Sequence, residues 1–233
     1  MKKIKNSLLN IFFPKFCFSC GKEGTYLCKD CTSILGICQY RYCLCKRPKR
    51  LTKEGKCFKC RSKKLTGLYF AMEYKNPLIK DLVQKFKYNP FIKELAKPLA
   101  SLITVHFQLL EDRPSFSNSV LISIPLDKKR LRWRGFNQAT EISKQLSKSL
   151  NIPLVSNCLA KIREVQPQIK LTAEERKENV KGIFKCKNKN VIYGKKILLV
   201  DDIYTTGSTM EEAAEVLKKS GAKEVWGAVV ARE

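Results

Sequence analysis

The sequence predicts an α/β fold, with a mostly parallel sheet and helices on both faces, preceded by a small cysteine-rich module. Two observations predict it. From residue 66 onward, apolar runs of strand length alternate with helical apolar stripes, whereas nine of the eleven cysteines lie within the first 60 residues. We therefore predict two units, residues 1–65 and residues 66–233. A chain of 233 residues is long enough for one moderate core and such an appendage.

The positive charge is large and uneven. The formal net charge is +25, and residues 1–65 carry +14 of it. Such a field attracts nucleic acid, an acidic membrane surface or a phosphorylated substrate. A solvated basic surface is the alternative, and charge alone does not decide between them.

The N-terminal residues 1–16 join a basic start to a short apolar run. Pro14 and Lys15 end the run, and no small-residue cleavage site precedes the cysteines. We expect an amphipathic helix that packs on the protein or weakly on a membrane, and not a secretion signal. No stretch reaches the roughly 20 apolar residues of a membrane span. We therefore expect a soluble, cytoplasmic protein with reduced thiols.

The first 60 residues carry cysteines at metal-ligand spacing. Two cysteines separated by two residues can bind one zinc ion, and two such pairs complete a tetrahedral structural site with no position left for substrate. The predicted sites are Cys17, Cys20, Cys28 and Cys31, and then Cys43, Cys45, Cys57 and Cys60. Only one residue separates Cys43 from Cys45, so Cys38 is an alternative ligand. Disulfides and redox-active pairs are the other interpretations, but no thioredoxin-like pattern surrounds these cysteines.

The rest of the chain alternates strand and helix patterns. An apolar stripe at i, i+3, i+4 and i+7 supports the last helix, through Met210, Ala213, Ala214 and Leu217. The predicted strands are residues 68–74, 120–124, 196–200 and 224–230. The predicted helices are residues 77–88, 91–110, 136–150 and 208–220, and a polar stretch occupies residues 163–184. This alternation is typical of a parallel sheet.

The most informative segment is Ile-Leu-Leu-Val-Asp-Asp-Ile-Tyr-Thr-Thr-Gly-Ser-Thr at residues 197–209. Its apolar run predicts a strand buried on both faces, and the ligand sites of parallel sheets lie beyond the carboxyl ends of such strands. The following turn opens a helix and offers N–H and hydroxyl groups to a phosphate monoester. The carboxylates of Asp201 and Asp202 would hold ribose hydroxyls, directly or through Mg²⁺. The segment thus predicts a ribose 5-phosphate site, whose phosphate ligands are Thr205, Thr206, Gly207, Ser208 and Thr209.

This segment resembles the phosphoribosyl pyrophosphate signature of type I phosphoribosyltransferases. Two further segments resemble the ComF competence family: Ile-Pro-Leu at residues 124–126 followed by Arg-Gly-Phe-Asn-Gln at residues 134–138, and the polar stretch beginning at Arg163. The resemblance implies a type I phosphoribosyltransferase-like fold and a phosphoribosyl pyrophosphate ligand with Mg²⁺ on Asp201 and Asp202. It also implies a role in DNA uptake and natural transformation, with other competence proteins as partners. The sequence departs from the family at Asp127, where His is common.

The resemblance assigns roles to two more segments. A short loop after the strand at residues 120–124 would grip pyrophosphate through its cations, namely Lys128, Lys129, Arg130 and Arg134. A flexible loop would cover the site and would include Arg163, Gln168 and Arg176. The alternatives are solvated or nucleic-acid-binding cations and an ordinary surface loop.

Two functions follow. The first is an enzyme, a phosphoribosyl pyrophosphate-binding phosphoribosyltransferase that would transfer the ribose 5-phosphate to an acceptor. The sequence does not identify the acceptor, because no general base is evident. His106 lies in an apolar helix where a packed or surface role is expected. The second is a non-catalytic adaptor that binds single-stranded DNA through the basic module. Its stacking residues would be Phe16, Phe18, Tyr40, Tyr42 and Phe58, which could equally form the core of the module.

Overall fold

The computed structural model describes residues 14–53, 55–163 and 180–233. The helices are α1 (Lys29–Ser33), α2 (Pro77–Lys87), α3 (Ala96–Leu109), α4 (Lys128–Arg134), α5 (Gln138–Leu150) and α6 (Ser208–Lys219). The strands are β1 (Arg41–Tyr42), β2 (Arg50–Leu51), β3 (Gly67–Glu73), β4 (Ser119–Ser123), β5 (Leu159–Lys161), β6 (Phe184–Cys186), β7 (Lys196–Tyr204) and β8 (Glu224–Arg232).

The central sheet has four parallel strands in the order β3-β8-β7-β4. Two antiparallel ribbons, β1-β2 and β5-β6, lie outside it. The predicted α/β class is therefore confirmed. The strand that carries the Asp-Asp pair, β7, is flanked by β8 and β4, which explains its uninterrupted apolar run.

Alternate residues of β7 face two different hydrophobic clusters. Leu198 and Val200 pack with apolar residues of α2, α3 and α5, whereas Ile197 and Leu199 pack with those of α6. Strand side chains alternate between the faces of a sheet, so this division places helices on both sides. The three-layer architecture predicted from the sequence is thus confirmed.

Several elements differ from the sequence prediction. The helix predicted over residues 91–110 begins at Ala96, and the ribbon β5-β6 was not predicted. The strand β7 runs to Tyr204, four residues beyond the predicted end, so both aspartates lie within it. The expected short loop at residues 128–134 is a helix, α4. The Asp127 side chain accepts a hydrogen bond from the Arg130 N–H at the N-cap, and Gly135 ends the helix at a φ of 75°. An Asp N-cap and a glycine C-cap are sufficient reason for a helix in a basic segment.

The cysteine-rich segment wraps around the edge strand β3. The N–H of Cys38 donates to the carbonyl of Ala71 at 2.8 Å. Cys38 separates two four-cysteine groups. The first group, Cys17 to Cys31, joins the hydrophobic cluster of α2 and α3, and the second group, Cys43 to Cys60, joins the cluster of α6. Because both groups share these clusters with the sheet, the division between residues 65 and 66 stays a prediction.

The single histidine has a packed role. His106 is buried, and its Nδ1 lies 2.6 Å from the carbonyl oxygen of Cys38. Burial lowers its pKa to about 4. In the described part of the chain, no helix is long and apolar enough to cross a membrane.

Candidate functional site

Two adjacent carboxylates mark the carboxyl end of β7. Asp202 is 5% exposed, and the N–H of Asp202 donates to Oδ1 of Asp201 at 2.9 Å. Burial and the neighbouring charge of Asp202 raise the pKa of Asp201 from 3.8 to about 7. Two adjacent buried carboxylates resist simultaneous ionisation, and positive charge close to them relieves that repulsion. Their oxygens fit a hard divalent cation such as Mg²⁺.

A lysine of α2 faces this pair. The Nζ of Lys87 lies 2.8 Å from Oδ1 of Asp202. Burial alone would lower the pKa of Lys87, but the attraction of Asp202 outweighs it and raises that pKa. Sequence reasoning missed Lys87, because it follows the last buried residue of α2, Phe86, and reads as an ordinary basic helix end.

The turn after β7 has the features that the sequence predicts for a phosphate loop. Thr205 and Thr206 are exposed. Gly207 adopts a φ of 79° and forms the N-cap of α6. The hydroxyl of Thr206 lies 3.1 Å from that of Ser208 and accepts a hydrogen bond from the Ser208 N–H. The turn thus presents hydroxyl groups and the first N–H groups of α6 beside the carboxylates.

Of the four predicted pyrophosphate-side cations, Arg134 interacts electrostatically with the carboxylates. Its positive charge opposes the rise in the pKa of Asp201 without reversing it, and burial lowers the pKa of Arg134 itself. Its Nη1 donates to Oε1 of Gln138 at 3.0 Å, while its Nε is buried and has no hydrogen-bond partner among the described residues. An unsatisfied buried donor favours a ligand that accepts hydrogen bonds at this point.

The other three cations are elsewhere on α4. Lys128 and Lys129 are exposed. The Nε of Arg130 lies 3.5 Å from Oδ2 of Asp127, whose pKa is lowered because the Arg130 N–H and nearby cations outweigh its burial.

The ribbon β5-β6 stands beside α4 and α6 and flanks the predicted covering loop. The Nζ of Lys161 lies 3.6 Å from Oδ2 of Asp127, and the N–H of Gly182 donates to Glu212 at 2.7 Å. Arg163 donates to the carbonyl of Lys181 at 2.9 Å. Gln168 and Arg176 lie outside the described residues.

An exposed aromatic cluster, which sequence reasoning did not find, borders the site. The Trp133 ring is 58% exposed, and its centroid lies 5.0 Å from that of Phe91 and 6.2 Å from that of Tyr88. The guanidinium of Arg134 lies over the Tyr88 ring at 5.4 Å. Tyr88 follows Lys87, the residue paired with Asp202, directly in sequence, which explains its place at the border of the site.

The cysteines form the two groups that the spacing predicts. The four Sγ atoms in each group lie within 4.8 Å of one another, for Cys17, Cys20, Cys28 and Cys31 and for Cys43, Cys45, Cys57 and Cys60. Zn–S bonds of about 2.3 Å in a tetrahedron put sulfurs about 3.8 Å apart. The Cys20–Cys28 and Cys45–Cys57 pairs, at 3.7 and 3.4 Å, fit that spacing. Both groups could therefore hold zinc, and Cys38 belongs to neither.

Comparisons with known proteins agree with the geometry. The phosphoribosyl transferase domain family matches residues 133–233. Competence protein F of Haemophilus influenzae is 39% identical over 110 residues, which are 46% of this chain and 48% of that protein. DNA utilization protein YhgH of Escherichia coli is 30% identical over 155 residues, 64% of this chain and 66% of the relative. Competence protein ComFC of Bacillus subtilis is 30% identical over 146 residues, 63% and 56% of the two chains. The chain thus spans about half to two thirds of the length of these relatives.

Proposed function

We propose that this chain, which belongs to the ComF family and carries a phosphoribosyl transferase domain, binds phosphoribosyl pyrophosphate at the carboxyl end of β7. The observation that carries the proposal is that a buried strand ends in two carboxylates and is followed directly by a helix-capping turn, with Arg134 acting electrostatically on the same carboxylates. Asp201 and Asp202 can accept hydrogen bonds from ribose hydroxyls, the turn at residues 205–209 can donate to the 5-phosphate, and Arg134 has a buried Nε free to donate to pyrophosphate. Sugar diol, phosphate and pyrophosphate each have a matching partner.

Mg²⁺ fits this site because carboxylate oxygens are among its preferred ligands, and Lys87 is paired with one of the two carboxylates, Asp202. Asp201 and Asp202 would hold the ion, directly or through the ribose hydroxyls, and the ion would neutralise part of the pyrophosphate charge. The chain itself supplies Lys87 and Arg134 as fixed cations. Lys87 balances Asp202 before any ligand binds, and Arg134 is suited to two-point contact with a phosphate group.

Turnover would require an acceptor nucleophile at C1 of the ribose. The C1–O bond would break, and pyrophosphate would leave with the bonding electrons while positive groups stabilise the developing charge. Release of pyrophosphate only in the presence of an acceptor would identify the reaction.

A panel of ligands tests the binding proposal. Ligands that bind the folded state raise the thermal unfolding temperature. With Mg²⁺ present, phosphoribosyl pyrophosphate should raise it more than either ribose 5-phosphate or pyrophosphate alone, since only the full ligand contacts all three groups. An equal effect of pyrophosphate and phosphoribosyl pyrophosphate would contradict the ribose part of the site.

We place this binding activity in DNA uptake in the cytoplasm, in keeping with the names of the relatives and with reduced thiols. A second function, binding of single-stranded DNA by the cysteine-rich module, is supported by exposed aromatic rings beside arginines. Phe58 is 78% exposed below Arg61, and Tyr40 is 41% exposed below Arg50, with ring-to-guanidinium distances of 4.6 and 3.5 Å. Phe18 and Tyr42 pack instead against the hydrophobic clusters.

Salt dependence tests this second function. Affinity for an oligonucleotide should fall steeply with salt as counterions are released, and replacing Phe58 by Ala should weaken binding. A flat dependence on salt would remove DNA from the proposal and leave the phosphoribosyl site unaffected.

A further inference from the structure

Three successive carbonyl oxygens of the second four-cysteine group accept hydrogen bonds from two cations, one buried and one half-buried. Arg232 at the end of β8 donates from Nη1 to Cys43 at 2.8 Å and from Nη2 to Cys45. Lys63 donates from Nζ to the intervening Leu44 at 2.9 Å. The turn that supplies two predicted zinc ligands is therefore attached to the sheet by its backbone.

The same two cations contact Tyr204, the last residue of β7. Nζ of Lys63 donates to the Tyr204 hydroxyl at 3.4 Å, and the Arg232 guanidinium lies 5.5 Å from the ring centroid. Tyr204 and Arg232 are paired in the β7-β8 register, and both are nearly inaccessible to solvent. The position of the Tyr204 side chain thus depends on the contacts that the cysteine turn provides.

Tyr204 in turn supports the phosphate turn. A Cβ atom added to Gly207 would lie 2.2 Å from the Tyr204 hydroxyl oxygen. The tyrosine ring therefore lies directly against the backbone of the glycine that caps α6. A displaced ring would change where the first N–H groups of α6 point.

A second connection reaches the same helix. The N–H of Lys64 donates to Oε2 of Glu211, in the first turn of α6, at 2.7 Å. Lys63 and Lys64 follow Cys60, the last ligand of the group, and the Lys63 N–H donates to its carbonyl at 3.1 Å. The cysteine group thus contacts both the turn and the helix of the candidate phosphate site.

We propose that metal in the second four-cysteine group sets the affinity of the phosphate turn, through Lys63, Arg232 and Tyr204. This inference rests on the proposed function for the identity of the ligand. The contacts between the cysteine group and the phosphate turn do not depend on it. Without the ion, the four cysteines are no longer bound to a common centre, so the Cys43–Cys45 turn is less constrained. The carbonyl oxygens that accept hydrogen bonds from Lys63 and Arg232 are then no longer fixed in place. By linkage, phosphoribosyl pyrophosphate should also strengthen metal binding by the same factor, typically five-fold or more.

The experiment uses the full chain in three variants. Cys45→Ser removes one ligand, Lys63→Met removes one of the two cations of the link and leaves every ligand in place, and Lys59→Met is the matched control, an exposed lysine of the same segment. Zinc content, hydrogen exchange of residues 204–211 and the Kd for phosphoribosyl pyrophosphate are measured on each. Lys63→Met should exchange faster in this segment and bind about five-fold more weakly at full zinc content, whereas Lys59→Met should match the wild type.

Cys45→Ser should lose one zinc and show the same changes. If it does not fold, Lys63→Met decides the question alone. Unchanged exchange in residues 204–211 in Lys63→Met would overturn the proposal. If the wild type does not bind phosphoribosyl pyrophosphate, the proposed function fails, but hydrogen exchange still shows whether the connection exists.

Discussion

The ammonium group of Lys87 and the carboxylate of Asp202 form an ion pair at 2.8 Å, with both side chains largely buried. Lys87 ends helix α2, and Asp202 lies near the end of β7, so the pair joins two elements that are distant in sequence. It holds a fixed positive charge beside the predicted sugar site and compensates for one of two adjacent carboxylates.

Replacing Lys87 by Met should destabilise the fold, because the buried carboxylate of Asp202 would lose its partner. We expect a loss of about 2 kcal/mol in the free energy of unfolding, measured with urea. Lys80→Met, at an exposed position of the same helix, is the control and should change stability little. Equal stability of the two variants would show that the ion pair contributes nothing.

The raised pKa of Asp201 predicts a specific dependence of stability on pH. The folded chain keeps this carboxyl protonated up to about pH 7, whereas the ordinary value in the unfolded chain is 3.8. Between these values the folded state binds more protons, so stability falls as pH rises. Asp201→Asn should therefore be more stable than the wild type above pH 7, by about 1 kcal/mol or more, with the difference shrinking toward pH 4.

Asp127→Asn provides a comparison of opposite sign, because the pKa of Asp127 is lowered. The wild type should be more stable than Asp127→Asn at pH 7, and this difference in stability should disappear in acid. Unfolding curves between pH 4 and pH 8 measure both variants. A wild-type advantage over Asp201→Asn at pH 8 would contradict the assignment of a raised pKa.

Gly207 and Gly135 form a matched pair of glycines, both with φ near 75–79°. A methyl group on Gly135 meets nothing within 4 Å, so Gly135→Ala should cost only the backbone strain, about 1 kcal/mol. Gly207→Ala adds a clash with the Tyr204 ring and should cost about 2 kcal/mol or more, with loss of ligand binding. Thermal unfolding of the two variants measures the difference, and equal costs would mean that Tyr204 does not constrain the turn.

The two four-cysteine groups predict two zinc ions per chain. Elemental analysis of protein purified without chelator should find this ratio, and Cys20→Ser should reduce it to one. Removing the metal should lower thermal stability, since binding energy contributes to folding in such sites. Disulfides in place of zinc would appear as a loss of free thiols under non-reducing conditions.

The parallel sheet, its helices and both cysteine groups could be predicted from the sequence, because each depends on local periodicity or spacing. The Asp-Asp pair was placed at the end of a buried strand for the same reason. Lys87 and the aromatic cluster around Trp133 could not be predicted, because they reach the site through tertiary packing. The helix α4 was missed although its signals, Asp127 and Gly135, are readable; the family resemblance suggested a loop instead. The assignments of ligand contacts to residues 205–209 stay predictions.

Calorimetric titration with phosphoribosyl pyrophosphate and Mg²⁺ tests the central claim most directly. The wild type should bind with a Kd of about micromolar, near −8 kcal/mol, and Asp201→Asn/Asp202→Asn should not bind while remaining folded. Equal binding by both proteins would place the ligand elsewhere. No binding by the folded wild type would contradict the phosphoribosyl site itself.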